Sequence, residues 1–172
     1  MKHIISFLAI TAISVSAMTS CAQNKSTRPS PPAKVTVTTD KGITATIDYS
    51  QPSVKGRTVG KEIAPYGEVW RTGANEATIF EVNKDITVAG KKLQAGKYGL
   101  YTIPGENEWT VIFNKKTNLW GSNGYSEADD ALRFTAKPTK SKAFTEKMTF
   151  NINKAGLVSL MWADVQVDFK IE

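Results

Sequence analysis

Residues 98–113 read YGLYTIPGENEWTVIF, and this stretch carries the pattern from which the fold is predicted. Tyr98–Ile103 and Trp109–Phe113 are rich in aromatic and β-branched residues, which favour strands. Pro104 and Gly105 follow the first segment at once and favour a turn, because proline presets one backbone angle and glycine tolerates the other. The stretch therefore predicts two neighbouring strands joined by a reversal of the chain.

Similar short segments recur on both sides of this stretch, several of them with apolar residues at every second position. They are separated by turns of Gly, Pro, Asn and Asp, and lie at 34–40, 43–48, 77–82, 85–88, 132–136, 147–152, 157–162 and 165–171. Helical periods are scarce, and only 61–64 and 126–131 suggest a turn of helix. Many short strands with frequent turns predict an all-β fold, an antiparallel sandwich or jelly-roll-like single domain over 34–172.

The N-terminus has a different composition, which is typical of a targeting segment. Lys2 and His3 precede an apolar run over 4–15, too short to span a bilayer well. Small residues then lead to Cys21, an order that resembles a bacterial lipobox. We expect residues 1–20 to be a lipoprotein signal peptide and Cys21 to carry the lipid; an ordinary secretory signal cleaved nearby is the alternative.

Residues 21–33 continue with a polar, proline-containing segment that has no apolar period and so cannot bury a core. Such a composition indicates a flexible, extended tether between the lipid and the domain. No acidic cluster follows Cys21. We therefore expect a protein of the cell envelope, anchored to the outer membrane through Cys21 and facing the periplasm.

The rest of the chain lacks the residues that many enzymes use. The full sequence has one histidine, His3, and one cysteine, Cys21, and both lie in or next to the predicted signal. The body therefore has no Ser-His-Asp triad, no Cys-His dyad, no His-ligated zinc and no internal disulfide. We expect no cofactor and no metal. The net charge of +6 is modest and scattered, and with an export signal it does not predict nucleic-acid binding.

One region departs from the plain sandwich pattern, namely a long connection between two predicted strands. It reads YSQPSVKGR over 49–57 and PYGEVWRTGANEAT over 65–78. Long ordered loops tend to carry function. Together with AGKYGLYTIPGENEWTVIFN over 95–114 and WG over 120–121, these strings resemble an uncharacterised family of exported bacterial proteins, domain of unknown function 2911. The resemblance spans nearly the whole body and implies no activity or catalytic residue.

The polar residues of this connection are the first candidates for a site. Arg71 follows an aromatic residue and could hold a carboxylate, a phosphate or sugar hydroxyls; alternatively it is a structural arginine paired with Glu76 or Glu68. Glu76 is the best candidate for a general acid or base, although the sequence does not identify the second carboxylate of a hydrolase. Arg57 lies in a basic turn that could bind an anion, and Asn75 adds an amide.

Aromatic residues complete the predicted site. Trp109 and Trp162 lie in strand patterns and are expected in the core. Trp70, Trp120 and Tyr125 lie outside the strands, and each could stack on a sugar or an aromatic ligand. The predicted ligand-binding set is Arg57, Trp70, Arg71, Asn75, Glu76, Trp120 and Tyr125.

The sequence therefore favours a noncatalytic, lipid-anchored module that binds a small polar or anionic ligand or a glycan. Two alternatives remain open at this level. One is an enzyme without histidine, in which Glu76 acts as acid or base and Arg71 holds the charge of the substrate. The other is an envelope structural or assembly protein that uses the same loops to contact a protein partner.

Overall fold

The structure, a computed structural model, describes residues 25–172, so the predicted signal and Cys21 lie outside the described residues. Apart from two short 3-10 helices, Lys25–Thr27 and Glu127–Asp129, the regular elements of this part are strands. The strands are β1 (Pro32–Thr38), β2 (Thr44–Ser50), β3 (Thr78–Val82), β4 (Ile86–Val88), β5 (Lys91–Leu93), β6 (Gly96–Ile103), β7 (Trp109–Asn114), β8 (Asp130–Ala136), β9 (Pro138–Ile152) and β10 (Leu157–Lys170).

Two layers of antiparallel strands form the body. One layer is a six-stranded sheet in the order β1-β2-β3-β6-β7-β8. It contains the hairpin β6–β7, which includes the stretch 98–113. The long hairpin β9–β10 faces it. The small hairpin β4–β5 joins this second layer where Thr87 and Glu172 exchange two backbone hydrogen bonds. The predicted all-β single domain is confirmed.

The core lies between the layers and is rich in aromatic rings. Phe113 of β7 packs against Phe80 of β3 at a centroid distance of 4.7 Å and against Phe169 of β10 at 6.1 Å. Trp109 and Trp162 are buried, as predicted. Burial of alternate apolar side chains from both layers is the main stabilising contribution in such a sandwich.

The second layer differs from the prediction in strand length. The segments predicted as separate strands, 157–162 and 165–171, form the single strand β10, whose register shifts on either side of Ala163. β9 begins at Pro138, nine residues before the predicted start. Its first part is polar and lacks apolar alternation, so its strand conformation comes from pairing with β10. Lys61–Ala64 contains no helix, whereas Glu127–Asp129 forms a single 3-10 turn.

Within residues 25–172 no helix is both long enough and apolar enough to cross a membrane.

Candidate functional site

The connection between β2 and β3, residues 51–77, is tied to both layers. Near its start, the amide of Val54 donates to the carbonyl of Glu146 on β9 (2.9 Å). Near its end, Trp70 and Thr102 of β6 exchange two backbone hydrogen bonds, which places Trp70 beside the six-stranded sheet. The connection is therefore an ordered segment that can position side chains for binding.

Trp70 contributes mainly to packing. Its ring stacks on that of Trp162 at 5.3 Å with an interplanar angle of 13°, and it meets Trp109 edge-on. Its indole Nε1 donates to the carbonyl of Gly73 (3.0 Å). Trp70 thus anchors the connection to the core immediately before Arg71 in the chain.

The turn that follows Trp70 is strained and held by hydrogen bonds. Thr72 and Asn75 adopt left-handed backbone angles, with φ of 50° and 59°. The hydroxyl of Thr78 donates to the carbonyl of Thr72 (2.8 Å), and the hydroxyl of Thr72 donates to that of Thr102 (3.2 Å). Strained backbone persists where surrounding contacts over-determine it, and such turns concentrate at binding sites.

Arg71 lacks the carboxylate partner that its structural interpretation required. Within residues 25–172 its guanidinium forms no ion pair with Glu76, Glu68 or any other carboxylate, and its buried Nε has no acceptor. Burial lowers the pKa of Arg71, because the charged form is partly removed from water. A Cβ built on Gly121 would lie 3.4 Å from its Nη1, so the guanidinium runs close beside the backbone of that glycine.

Glu76 is bound instead by the segment that precedes β1. Its two carboxylate oxygens accept hydrogen bonds from Nη1 of Arg28 (3.0 and 2.9 Å), and Nζ of Lys25 lies 3.2 Å away. Burial by itself would raise the pKa of Glu76. Its own backbone N–H, Arg28 and Lys25 outweigh that effect and lower the pKa to about 2. The carboxylate is therefore ionised at neutral pH.

Two further contacts hold the same N-terminal segment against the domain. Asn75 Nδ2 donates to the carbonyl of Ser30 (3.1 Å), and the backbone N–H of Gln51 donates to the carbonyl of Pro31 (2.9 Å). The described part of the predicted tether, 25–33, is thus bonded to the connection, and β1 begins at Pro32 inside it. Sequence reasoning missed Lys25 and Arg28, because a polar, proline-rich composition contains no sign of an ion pair with a distant loop.

Trp120 lies next to Glu76 through the backbone. Glu76 and Trp120 form an isolated β-bridge, in which the amide of Gly121 donates to the carbonyl of Asn75 (3.1 Å) and that of Ala77 to the carbonyl of Leu119 (3.1 Å). The indole of Trp120 remains 58% exposed, more than most aromatic side chains of a folded domain. The structure therefore brings Arg71, Asn75, Glu76 and Trp120 together.

Tyr125 belongs to a different set of contacts. Its hydroxyl donates to Asp130 (2.9 Å) and accepts from Nη2 of Arg133 (2.7 Å), while its ring packs on that of Tyr101 at 5.2 Å. Burial, with the hydrogen bond and the charge of Asp130, raises the pKa of Tyr125 to about 12, although Arg133 acts in the opposite direction. Its polar atom is thus already occupied within the protein.

Arg57 is not joined by any described contact to the other candidates. Its Nε and Nη2 donate to the carbonyls of Val54 and Ser53 at 3.1 and 2.8 Å, which closes the basic turn on itself. This turn lies against β9, where the isolated bridge between Ser53 and Lys147 holds it. The seven predicted residues therefore divide four ways. Arg71, Asn75, Glu76 and Trp120 form what we call the Arg71 group, Trp70 packs on the core, Tyr125 has its own partners, and Arg57 lies beside β9.

A cavity of about 230 Å³ lies beside Glu76, which is the one member of the Arg71 group among its lining residues. It is lined by polar and charged side chains, among them Lys25, Asp48, Glu76 and Thr117. Within residues 25–172, no three His, Cys, Asp or Glu side chains are placed to hold a metal ion together. The chemistry available here is that of a guanidinium, an amide, an ion-paired carboxylate and an exposed indole.

Comparison with known proteins adds a family. The family model described as "Protein of unknown function (DUF2911)" matches residues 30–171, which contain all ten strands of the described region. No curated protein and no solved structure matches the chain. The match therefore identifies a family, and its description assigns no activity.

Proposed function

We propose that this chain, which belongs to the family Protein of unknown function (DUF2911), is a noncatalytic, lipid-anchored envelope protein that binds a small anionic ligand at Arg71. One observation carries the proposal. The guanidinium of Arg71 is partly buried without a carboxylate partner among residues 25–172, while one of its two predicted partners, Glu76, is held by Arg28 and Lys25.

An unpaired guanidinium that is partly removed from water is unfavourable unless an anion or another acceptor satisfies it. A carboxylate or a phosphate matches the planar fork of arginine and can accept two hydrogen bonds from it. The ion pairs that Glu76 makes with Arg28 and Lys25 partly neutralise its charge, so it repels such a ligand less. The exposed indole of Trp120 offers an apolar face to the rest of the ligand, including a sugar ring.

The state of Glu76 favours binding over catalysis. A general acid must hold a proton near the working pH, and a carboxyl whose pKa is about 2 does not. The same low pKa makes Glu76 a weak base. The alternative of an enzyme that uses Glu76 as its acid or base therefore has less support than a binding site that uses Arg71.

Ligand titration tests the proposed site directly. We propose to titrate the purified protein with mono- and dicarboxylates, phosphate and phosphate esters, and acidic and neutral oligosaccharides, and to follow binding by calorimetry and thermal shift. We expect an anionic compound to bind and Arg71→Ala to weaken it by about tenfold to a hundredfold, the usual worth of a hydrogen bond to a charged group. Arg71→Lys keeps the positive charge but loses the planar fork of donors, so its affinity should lie between those of the wild type and Arg71→Ala.

A matched control separates this site from general attraction to a basic protein. Arg57→Ala removes the same side chain at a position that is not joined to Arg71, and should leave affinity unchanged. Equal losses in both variants, or no binding by any anion in the panel, would contradict the proposed site. Binding of neutral and acidic sugars alike, with dependence on Trp120 but not on Arg71, would identify a glycan site instead.

The anchor is tested separately. Cys21 precedes the described residues, and its lipid is inferred from the order of residues 1–21. We expect cells that express the wild-type chain to incorporate labelled palmitate into it, and Cys21→Ser to abolish both the label and the recovery of the protein with envelope membranes. Unchanged labelling in the variant would refute lipidation at this residue.

A further inference from the structure

β9 contains a four-residue excursion opposite a single residue of β10. Lys140 lies opposite Val165 and Thr145 lies opposite Ala163, so residues 141–144 face only Asp164. Within the excursion, the hydroxyl of Ser141 donates to the carbonyl of Ala143 (2.9 Å). Bulges of this kind bend a strand away from its partner and redirect side chains, and are common next to functional surfaces.

Phe144 stands at the end of this excursion with 64% of its surface exposed, more than any other large apolar side chain in the described part of the chain. The ring belongs to a segment that is not paired residue by residue with β10. Transfer of a phenyl ring from water to an apolar environment is favourable. The domain itself leaves the ring of Phe144 mostly in water, so the favourable free energy of burying it is available for binding to another surface.

The charges around Phe144 are mostly positive. Lys140, Lys142 and Lys147 are exposed, and within residues 25–172 none of them forms an ion pair. The one acidic residue of this stretch, Glu146, accepts the backbone N–H of Lys55 (2.9 Å), which brings the basic turn 55–57 beside β9. We call this region the β9 bulge surface, and its members are Phe144, Lys140, Lys142, Lys147, Lys55 and Arg57.

We propose that the β9 bulge surface binds the surface of an anionic lipid bilayer, with Phe144 inserted among the headgroups and the cations near the lipid phosphates. Five cationic side chains stand against three carboxylates, namely Glu146, Asp164 and Glu106, which lines a cavity with Lys140, so the surface keeps a net positive charge and complements a negative plane. A protein partner would require about 800 Å² per side with an apolar centre. A single phenyl ring among flexible lysines fits a membrane interface better, where an apolar ring is buried while the ammonium groups stay in water.

This inference does not depend on ligand binding at Arg71 or on a lipid at Cys21. A lipid at Cys21 would hold the domain near a membrane through a single point of attachment. Contact through the β9 bulge surface would fix one orientation. The two proposals can fail independently, since one concerns β9 and the other concerns Arg71 and the N-terminus.

Amide hydrogen exchange on the full chain gives a readout confined to this surface. We propose to mix the chain with phosphatidylcholine vesicles, with or without phosphatidylglycerol, and to follow exchange in residues 138–147. We expect protection only with the anionic lipid, and its loss at high salt, which screens the attraction. Each lysine near an anionic surface contributes about fivefold to binding, so Lys140→Gln with Lys142→Gln should raise the anionic lipid needed by about 25-fold. Phe144→Ser should also abolish protection.

A control variant removes the same amount of charge elsewhere. Lys84→Gln with Lys92→Gln removes two exposed lysines next to and within the hairpin β4–β5. This variant should retain full protection of residues 138–147. The proposal is overturned if no vesicle protects this segment, if neutral and anionic vesicles protect it equally, or if the control loses as much protection as the test variants. It is also overturned if only envelope protein fractions protect the segment, which would identify a protein partner.

Discussion

The contact between Glu76 and the N-terminal segment leads to a quantitative prediction. Glu76→Gln keeps the size of the side chain but removes the charge that binds Arg28 and Lys25. A pKa of about 2, against a usual value of 4.5, corresponds to an upper limit of roughly 3 kcal/mol at about 1.4 kcal/mol per pKa unit. Because the side chain is 40% exposed, solvent screening reduces this, and we expect a loss of about 1 kcal/mol in the free energy of unfolding.

The pH dependence of this loss follows from the direction of the shift. Because the pKa of Glu76 is lower in the folded protein, the unfolded chain binds more protons between about pH 4.5 and about pH 2. The stabilisation is therefore complete above the unfolded pKa and disappears as the pH falls through the folded one. The difference in stability between wild type and Glu76→Gln should shrink towards zero over that interval.

Urea denaturation of the two proteins at a series of pH values measures the difference directly, because the titrations of all other carboxylates cancel. Asp48→Asn provides a matched control. Its carboxylate pairs with Lys34 at 3.2 Å but is 52% exposed, so its removal should cost much less. Equal losses for Asp48→Asn and Glu76→Gln, or a difference that stays constant down to about pH 2, would refute the reasoning.

Three further predictions concern the core and the turns. Tyr49→Phe leaves the buried N–H of Phe150 without its acceptor, now 3.1 Å away, and should cost about 1–3 kcal/mol in urea denaturation; a loss below about 0.5 kcal/mol would contradict that role. Gly156→Ala should cost at least about 2 kcal/mol, because φ is 84° and the new methyl group would meet the carbonyl oxygen of Ile171, and unchanged thermal unfolding would count against this geometry. In an ultraviolet titration, the difference between wild type and Tyr125→Phe should show one phenol with a pKa of about 12, and ionisation near pH 10 would exclude the hydrogen bonds assigned to it.

Much of the six-stranded sheet was predictable from neighbouring residues. The stretch 98–113 forms β6 and β7 as expected, because turn residues stand between two segments rich in strand-forming side chains. The first part of β9 was not predictable in this way. Residues 138–146 contain two lysines and no apolar alternation, and they are drawn into a strand by the pairing of 138–140 and Thr145 with β10.

The candidate site shows the same division. The motif over 65–78 identified the loop that holds Arg71, Asn75 and Glu76, and Gly121 and Trp120 are placed beside them by a short bridge. The partners of these side chains were beyond sequence reasoning. Glu76 binds Arg28, which lies 48 residues earlier, and Arg71 remains without the carboxylate that its position suggested.

Strand and turn patterns depend on residues next to one another in the chain, so the all-β class and the family motifs could be inferred from the letters alone. An ion pair depends instead on which distant segments the folded sheets bring within a few ångströms. That is why only the structure assigns Glu76 to the N-terminal segment, leaves Arg71 without a carboxylate partner among residues 25–172, and exposes Phe144.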